Sequence, residues 1–135
     1  MKHVFPSAEW LHGFAEKLNQ DEHYQRIAHN WEGDVLLILE ADDRLAQQIN
    51  YYFDLWHGAC RQAKAIDLPE EISPAFVLHA PYQNWSRILQ GDLHPLQAML
   101  TQKLVVKGNM AYLMRHVPTV LDFTRCAREV TSSTL

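Results

Sequence analysis

Gln48-Ile49-Asn50-Tyr51-Tyr52-Phe53-Asp54-Leu55 is the stretch that decides the fold. Ile49, Tyr51, Phe53 and Leu55 alternate with Gln48, Asn50, Tyr52 and Asp54, a period of two that belongs to a strand with one face on a core. Just upstream, Val35-Leu36-Leu37-Ile38-Leu39 is a dense aliphatic run, and Ala41-Asp42-Asp43-Arg44 supplies turn-forming acids between the two. The pair reads as a β-hairpin.

Working outward from the hairpin, Arg61 to Asp67 alternates weakly through Ala63 and Ala65 and is expected as a third strand. Ala75 to Ala80 follows a Pro-bracketed loop as a fourth, and Lys103 to Lys107 forms a last short one. Helical spacing flanks this set on both sides. Leu11, Phe14, Ala15 and Leu18 share one face of a helix capped by Ser7, and Tyr24, Ile27, Ala28 and Trp31 predict a second helix that starts at Asp21 and runs to Gly33. After the fourth strand, Trp85, Ile88 and Leu89 predict a helix closed by Gly91, and Leu96, Met99 and Leu100 another that begins near Pro95. The terminal segment carries Met110, Leu113, Met114 and Val117 on one face, meets Pro118, and resumes with Val120, Phe123, Thr124 and Ala127. This order implies an α+β fold, a mostly antiparallel five-stranded sheet covered on one face by helices, with residues 1–135 as one domain.

Composition removes several functions. Twelve basic against sixteen acidic side chains give a net charge of −4, so no basic stripe exists to neutralise a run of phosphates, and nucleic acid is not expected as a partner. The five-residue aliphatic run is far short of the roughly 20 residues of a membrane-spanning helix. Without a signal-like amino terminus, a cytoplasmic location is expected. Cys60 and Cys126 are too few for a disulfide framework and read as reduced, buried thiols.

The sites of chemistry are equally sparse. Eight histidines are scattered with no His-Glu-x-x-His, so no metal ligands are expected; His57 and His79 are the one pair that strands could bring together. Nor is there a Gly-x-Ser-x-Gly, and the five glycines form no phosphate-cradling loop, which leaves nucleotide cofactors without a seat. The acidic pairs Glu40 with Asp42 and Glu70 with Glu71 fall in turns facing water. Trp10, Trp31, Trp56 and Trp85 read as packing anchors.

Three segments carry a family resemblance: Asn50-Tyr51-Tyr52-Phe53-Asp54-Leu55-Trp56-His57-Gly58-Ala59-Cys60-Arg61, Trp85-Ser86-Arg87-Ile88-Leu89-Gln90-Gly91, and Lys103-Leu104-Val105-Val106-Lys107-Gly108-Asn109-Met110. From about Trp31 onward the chain resembles the sterol-carrier-protein (nonspecific lipid-transfer) domain family. Gln102 stands where many members have glycine, and Asn109 where aspartate is frequent. The resemblance implies a twisted five-stranded sheet under helices, a hydrophobic tunnel between the layers for fatty acyl, isoprenoid or sterol-like lipids, and no catalytic residues.

Under that reading the protein is a carrier of a hydrophobic ligand and not an enzyme. Face and spacing place Met110, Leu113, Met114 and Val117 in the helix wall of the cavity and Phe53, Leu55 and Phe76 in its sheet wall. The rival expectation is an accessory module with a closed core that forms a homodimer or docks to an enzyme of a lipid or quinone pathway.

Overall fold

The computed structural model describes residues 2–135. Its centre is the expected hairpin: β2 (Val35–Glu40) pairs antiparallel with β3 (Ile49–Trp56), with Val35 opposite Phe53 and Leu37 opposite Tyr51. A two-residue turn then leads into β4 (Ala59–Ala65). His57 and Gly58 both have positive φ, 51° and 85°, which is the backbone a tight hairpin turn with the sheet's own twist requires. A Cβ at Gly58 would lie 2.7 Å from the carbonyl oxygen of Gln25, so glycine is needed there twice over.

On the other side of β2 lies β5 (Phe76–Pro81), paired parallel, and beyond it the three-residue edge strand β6 (Val105–Lys107), paired antiparallel. The sheet order is β4-β3-β2-β5-β6, mixed and mostly antiparallel. Pleating puts Val35, Leu37 and Leu39 of β2 on the same face as Tyr51, Phe53 and Leu55 of β3 and Phe76 and Ala80 of β5, and all eight are buried in the core.

Helices cover that face. In α1 (Ala8–Gln20), capped by the Ser7 hydroxyl, Trp10, Leu11, Phe14 and Leu18 point inward. α6 (Val117–Glu129) packs against α1 and against α2 (Glu22–Ile27), whose N-cap is Asp21. α3 (Tyr82–Gln90) leans on β5 and α6, while α4 (Pro95–Leu100) and α5 (Met110–Arg115) close the rest. An aromatic seam joins the layers, with Phe14, Phe53 and Phe123 mutually 4.8–5.8 Å between ring centroids.

Two features depart from the sequence reading. The second helix ends at Ile27, not at Gly33, because Trp31 leaves helical geometry and turns its ring into a cluster with Phe76, Tyr112 and His116, its indole N–H donating to the Gly33 carbonyl. A second, two-stranded sheet was not foreseen: β1 (His3–Phe5) and β7 (Thr131–Thr134) run parallel. Both strands are short, and β7 is polar, so neither carries a period that sequence reading can detect. The terminal helix divides at His116, which places Pro118 in the first turn of α6, where it forfeits no intrahelical bond.

Candidate functional site

Two apolar cavities lie between the sheet and the helices. The first, about 40 Å³, is bounded by Leu55 and Phe76 of the sheet, Tyr24 and Trp31 from the α2 end, Leu113 of α5 and Thr119 of α6. The second, about 60 Å³, lies toward α1 and α3, among Trp10, Phe14, Leu37, Leu39, Trp85 and Ile88. Leu78, Met99, Val120 and Phe123 touch both, so these four side chains form the partition between them. Almost no polar atom faces either space, and apolar voids of this size stay dry.

Each space has room for only a few heavy atoms. An acyl chain of sixteen carbons fits neither, and occupancy by one requires the partition to move and the cavities to join. Of the four partition residues, Met99 has an unbranched, rotatable side chain, whereas Phe123 is packed against Phe14, Tyr24 and Phe53.

Of the residues read from the sequence, Leu55, Phe76 and Leu113 line the first cavity. Phe53 is fully buried beside it, between Phe14 and Phe123. Met110 and Met114 instead face outward, 40% and 47% exposed, and Val117 is half-buried. The reason is the break at His116. A six-residue α5 rotates about Leu113 and Tyr112, whose ring packs on Trp31, Phe76 and His116, so the inward stripe is 112, 113 and 116. The helical wall missed at first is in α6, where Val120, Phe123, Thr124 and Ala127 continue the stripe after Pro118 and all face a cavity.

The Lys107-Gly108-Asn109 turn acquires a physical account. Gly108 has φ +144°, and a Cβ on it would stand 2.6 Å from both the Ala75 carbonyl oxygen and the Phe76 ring. The bare backbone therefore lets the chain pass against a wall residue of the first cavity. Asn109 then caps α5, its side-chain oxygen accepting from the Tyr112 N–H at 3.0 Å.

No catalytic grouping emerges from the titratable side chains among the described residues. His57 and His79, the pair that strands could have joined, have separate partners: Glu32 at 2.6 Å for His57 and Glu40 at 2.7 Å for His79. Burial pushes the Cys60 thiol up to about 11 and the Cys126 thiol up to about 12, which keeps both protonated and unreactive. Among the described residues, Asp21, Asp122 and Cys126 are the one group whose ligand atoms lie close enough for a metal ion. A cation already sits there: the Arg125 guanidinium donates to Asp21 at 2.6 Å and to Asp122 at 2.8 Å, with Lys17 at 3.0 Å from Asp21. The cluster is an internal salt-bridge network that ties α1 and α2 to α6.

Comparison with known proteins agrees with this geometry. The SCP-2 sterol transfer family matches residues 14–120. Among solved structures, a crystal structure of sterol carrier protein 2 superposes with a TM-score of 0.84 at 34% identity, covering 93% of this chain and 98% of its own. A conserved hypothetical protein from Thermus thermophilus, suggested to be a sterol carrier protein, gives 0.83 at 34% identity, covering 94% of this chain and 90% of its own. The sterol carrier protein-2 of Aedes aegypti, solved in complex with palmitate, shares the fold at 17% identity, with a TM-score of 0.54 over 83% of this chain and 91% of its own. No curated protein matches the sequence. With more than half of its length matched and the same sheet, helices and order, the chain belongs to the SCP-2 sterol transfer family.

Proposed function

We propose that residues 1–135 form a single carrier domain that takes up an acyl, isoprenoid or sterol-like lipid between sheet and helices and releases it chemically unchanged. The observation that carries this reading is the pair of apolar cavities meeting at Leu78, Met99, Val120 and Phe123. Phe53, Leu55, Phe76 and Leu113 belong to the wall, Met110 and Met114 join it when the short helix α5 shifts to admit ligand, and Val117, the first residue of α6, joins it beside them. The palmitate held by the Aedes aegypti protein of the same fold supports the ligand class. Burying eight methylenes contributes roughly 6 kcal/mol before ordering costs, which corresponds to a Kd of tens of micromolar at best, and each further methylene buried adds about 0.8 kcal/mol.

The small size of the two cavities favours one other reading, a closed core in a module that dimerises or docks to an enzyme. Lipid extraction of the purified protein, with native mass spectrometry and thermal unfolding in the presence of palmitate, separates the two. A carrier shows about one lipid per chain, and ligand at a hundredfold excess over Kd adds about 2.7 kcal/mol, a rise in Tm of roughly 10 °C. Val120→Trp fills the joint between the cavities and abolishes that rise while far-ultraviolet circular dichroism is unchanged. An empty protein whose Tm no fatty acid or isoprenoid raises leaves the closed module standing.

A further inference from the structure

Three side chains of metal-ligating type converge beside the β3–β4 turn. His57 stands in that turn, Glu32 follows Trp31, and His29 lies just past the end of α2. His57 Nε2 and Glu32 Oε2 are 2.6 Å apart, and the centroids of the His57 and His29 rings are 6.2 Å apart with their planes at 67°. The backbone beneath them is fixed. The His57 N–H donates to the Trp31 carbonyl at 2.7 Å, Glu32 forms an antiparallel bridge with Trp56, and the Glu32 N–H donates to the Tyr112 hydroxyl at 2.8 Å. His57 holds φ +51°, a left-handed conformation for which asparagine or glycine is the ordinary choice in a hairpin turn. Histidine there sets its imidazole against Glu32 at some backbone cost. All three side chains are exposed, so each is free to adjust its rotamer.

We propose that His29, Glu32 and His57 form a binding site for one zinc-class divalent cation. Two imidazoles and one carboxylate are a donor set that zinc takes with water in its fourth position, and two nitrogen donors disfavour calcium and magnesium, which take oxygen. The distances are close to what coordination needs. Metal–ligand bonds of about 2.0–2.1 Å at a tetrahedral angle put neighbouring ligand atoms about 3.3 Å apart and two ligating imidazole centroids about 5.2 Å apart. The ion takes the place of the proton shared by His57 and Glu32, whose atoms separate by about 0.7 Å, and the His29 ring turns and closes by about 1 Å. Without that turn the His29 nitrogens lie too far out for the three residues to form a cluster as tight as that of Asp21, Asp122 and Cys126. The two clusters differ in who holds the carboxylate. Arg125 occupies the aspartates, whereas among the described residues Glu32 has only His57 as its ion-pair partner, and a histidine gives up its proton to a metal. Arg26 lines the same surface hollow as His29 and opposes the ion's charge, while Arg61 is taken up by Asp54 at 3.0 Å and by the Trp56 ring. Bound there, the ion joins the end of α2 to the β3–β4 turn beside Trp31, a wall residue of the first cavity.

The site needs nothing of lipid carriage, so the two can fail separately. The test is calorimetric titration of the chelator-treated full chain with zinc chloride, and with cobalt(II) as a spectroscopic substitute. About one zinc per chain with a micromolar Kd is expected, with release of protons on binding and the intense visible absorption of four-coordinate cobalt. His57→Asn keeps a residue that tolerates the positive φ of the turn, and His29→Ala and Glu32→Gln change exposed side chains, so none disturbs the fold and far-ultraviolet circular dichroism stays the same. Each lowers zinc affinity at least about tenfold. His12→Ala, which removes an exposed histidine of α1, leaves it unchanged. Absence of zinc binding at millimolar metal, unchanged affinity in His57→Asn and His29→Ala, or an equal loss in His12→Ala would overturn the proposal. The palmitate shift in Tm, measured on the same variants without metal, reports separately on the cavity.

Discussion

Replacing Arg125 by methionine keeps most of the side chain's alkyl length and removes its charge, so it isolates what the guanidinium does. Arg125 donates to Asp21 at 2.6 Å, to Asp122 at 2.8 Å and to Glu129 at 2.8 Å, and the two aspartates are nearly buried, with side chains 9% and 8% exposed. Breaking a fully buried pair costs roughly 3–5 kcal/mol; a guanidinium one third exposed, with Lys17 left beside Asp21, brings the expected loss to about 2–3 kcal/mol at neutral pH. Its pH dependence identifies the cause. The Arg125 hydrogen bond holds the Asp21 carboxyl far below the usual aspartate value. Burial pushes Asp122 up, but hydrogen bonds from Arg125 and His23 outweigh it, and Lys17 and Arg125 pull Glu129 down. Groups with lowered values stabilise the fold above the ordinary carboxylate range and lose that contribution as pH falls through their folded values. The wild-type protein therefore loses stability on acidification, and the variant, whose carboxyls are closer to ordinary, loses less. Urea unfolding followed by tryptophan fluorescence, from pH 7 down to about pH 3.5, should show the gap between them closing below about pH 5. A gap that stays constant with pH would refute the electrostatic account and assign the loss to packing of the stem.

Two further outcomes are expected. Cys60 and Cys126, with thiols pushed up to about 11 and about 12 by burial, should stay unreacted toward a disulfide reagent at pH 8 until denaturant is added, and rapid native labelling of either would contradict their burial. Gly108→Ala should cost about 2 kcal/mol or more in chemical unfolding, from its backbone angle and the close Ala75 and Phe76 contacts; a neutral substitution would mean the turn relaxes freely.

The parts of the fold legible in the sequence are those with a strong period. Tyr51, Phe53 and Leu55 announce a half-buried strand by alternation, and Leu11, Phe14 and Leu18 a helix by their spacing, with Ser7 at its cap as expected. Parallel pairing of β5 with β2 was not legible, because strand order depends on contacts between residues some forty positions apart, such as Val35 with Phe76, which leave no local mark. Trp31 shows the limit of spacing: it continues the apolar repeat of the second helix, yet the space beside Phe76 and Tyr112 draws it out of helical geometry. The cavity was legible in part. Leu55, Phe76 and Leu113 line it, whereas the stripe shared by Met110 and Met114 was broken by the turn at His116, and a residue-by-residue period cannot register a rotation between two helices.

The two voids beside Leu78, Met99, Val120 and Phe123 also bear on how the molecule responds to compression. Empty internal space vanishes on unfolding, so hydrostatic pressure favours the unfolded chain in proportion to the voids it eliminates, typically by some tens of mL/mol. A molecule with these spaces vacant is soft along the direction separating its layers, and filling them makes it stiffer as well as more stable. Under the proposed carriage, compressibility is thus a property by which a lipid-filled molecule would differ from an empty one.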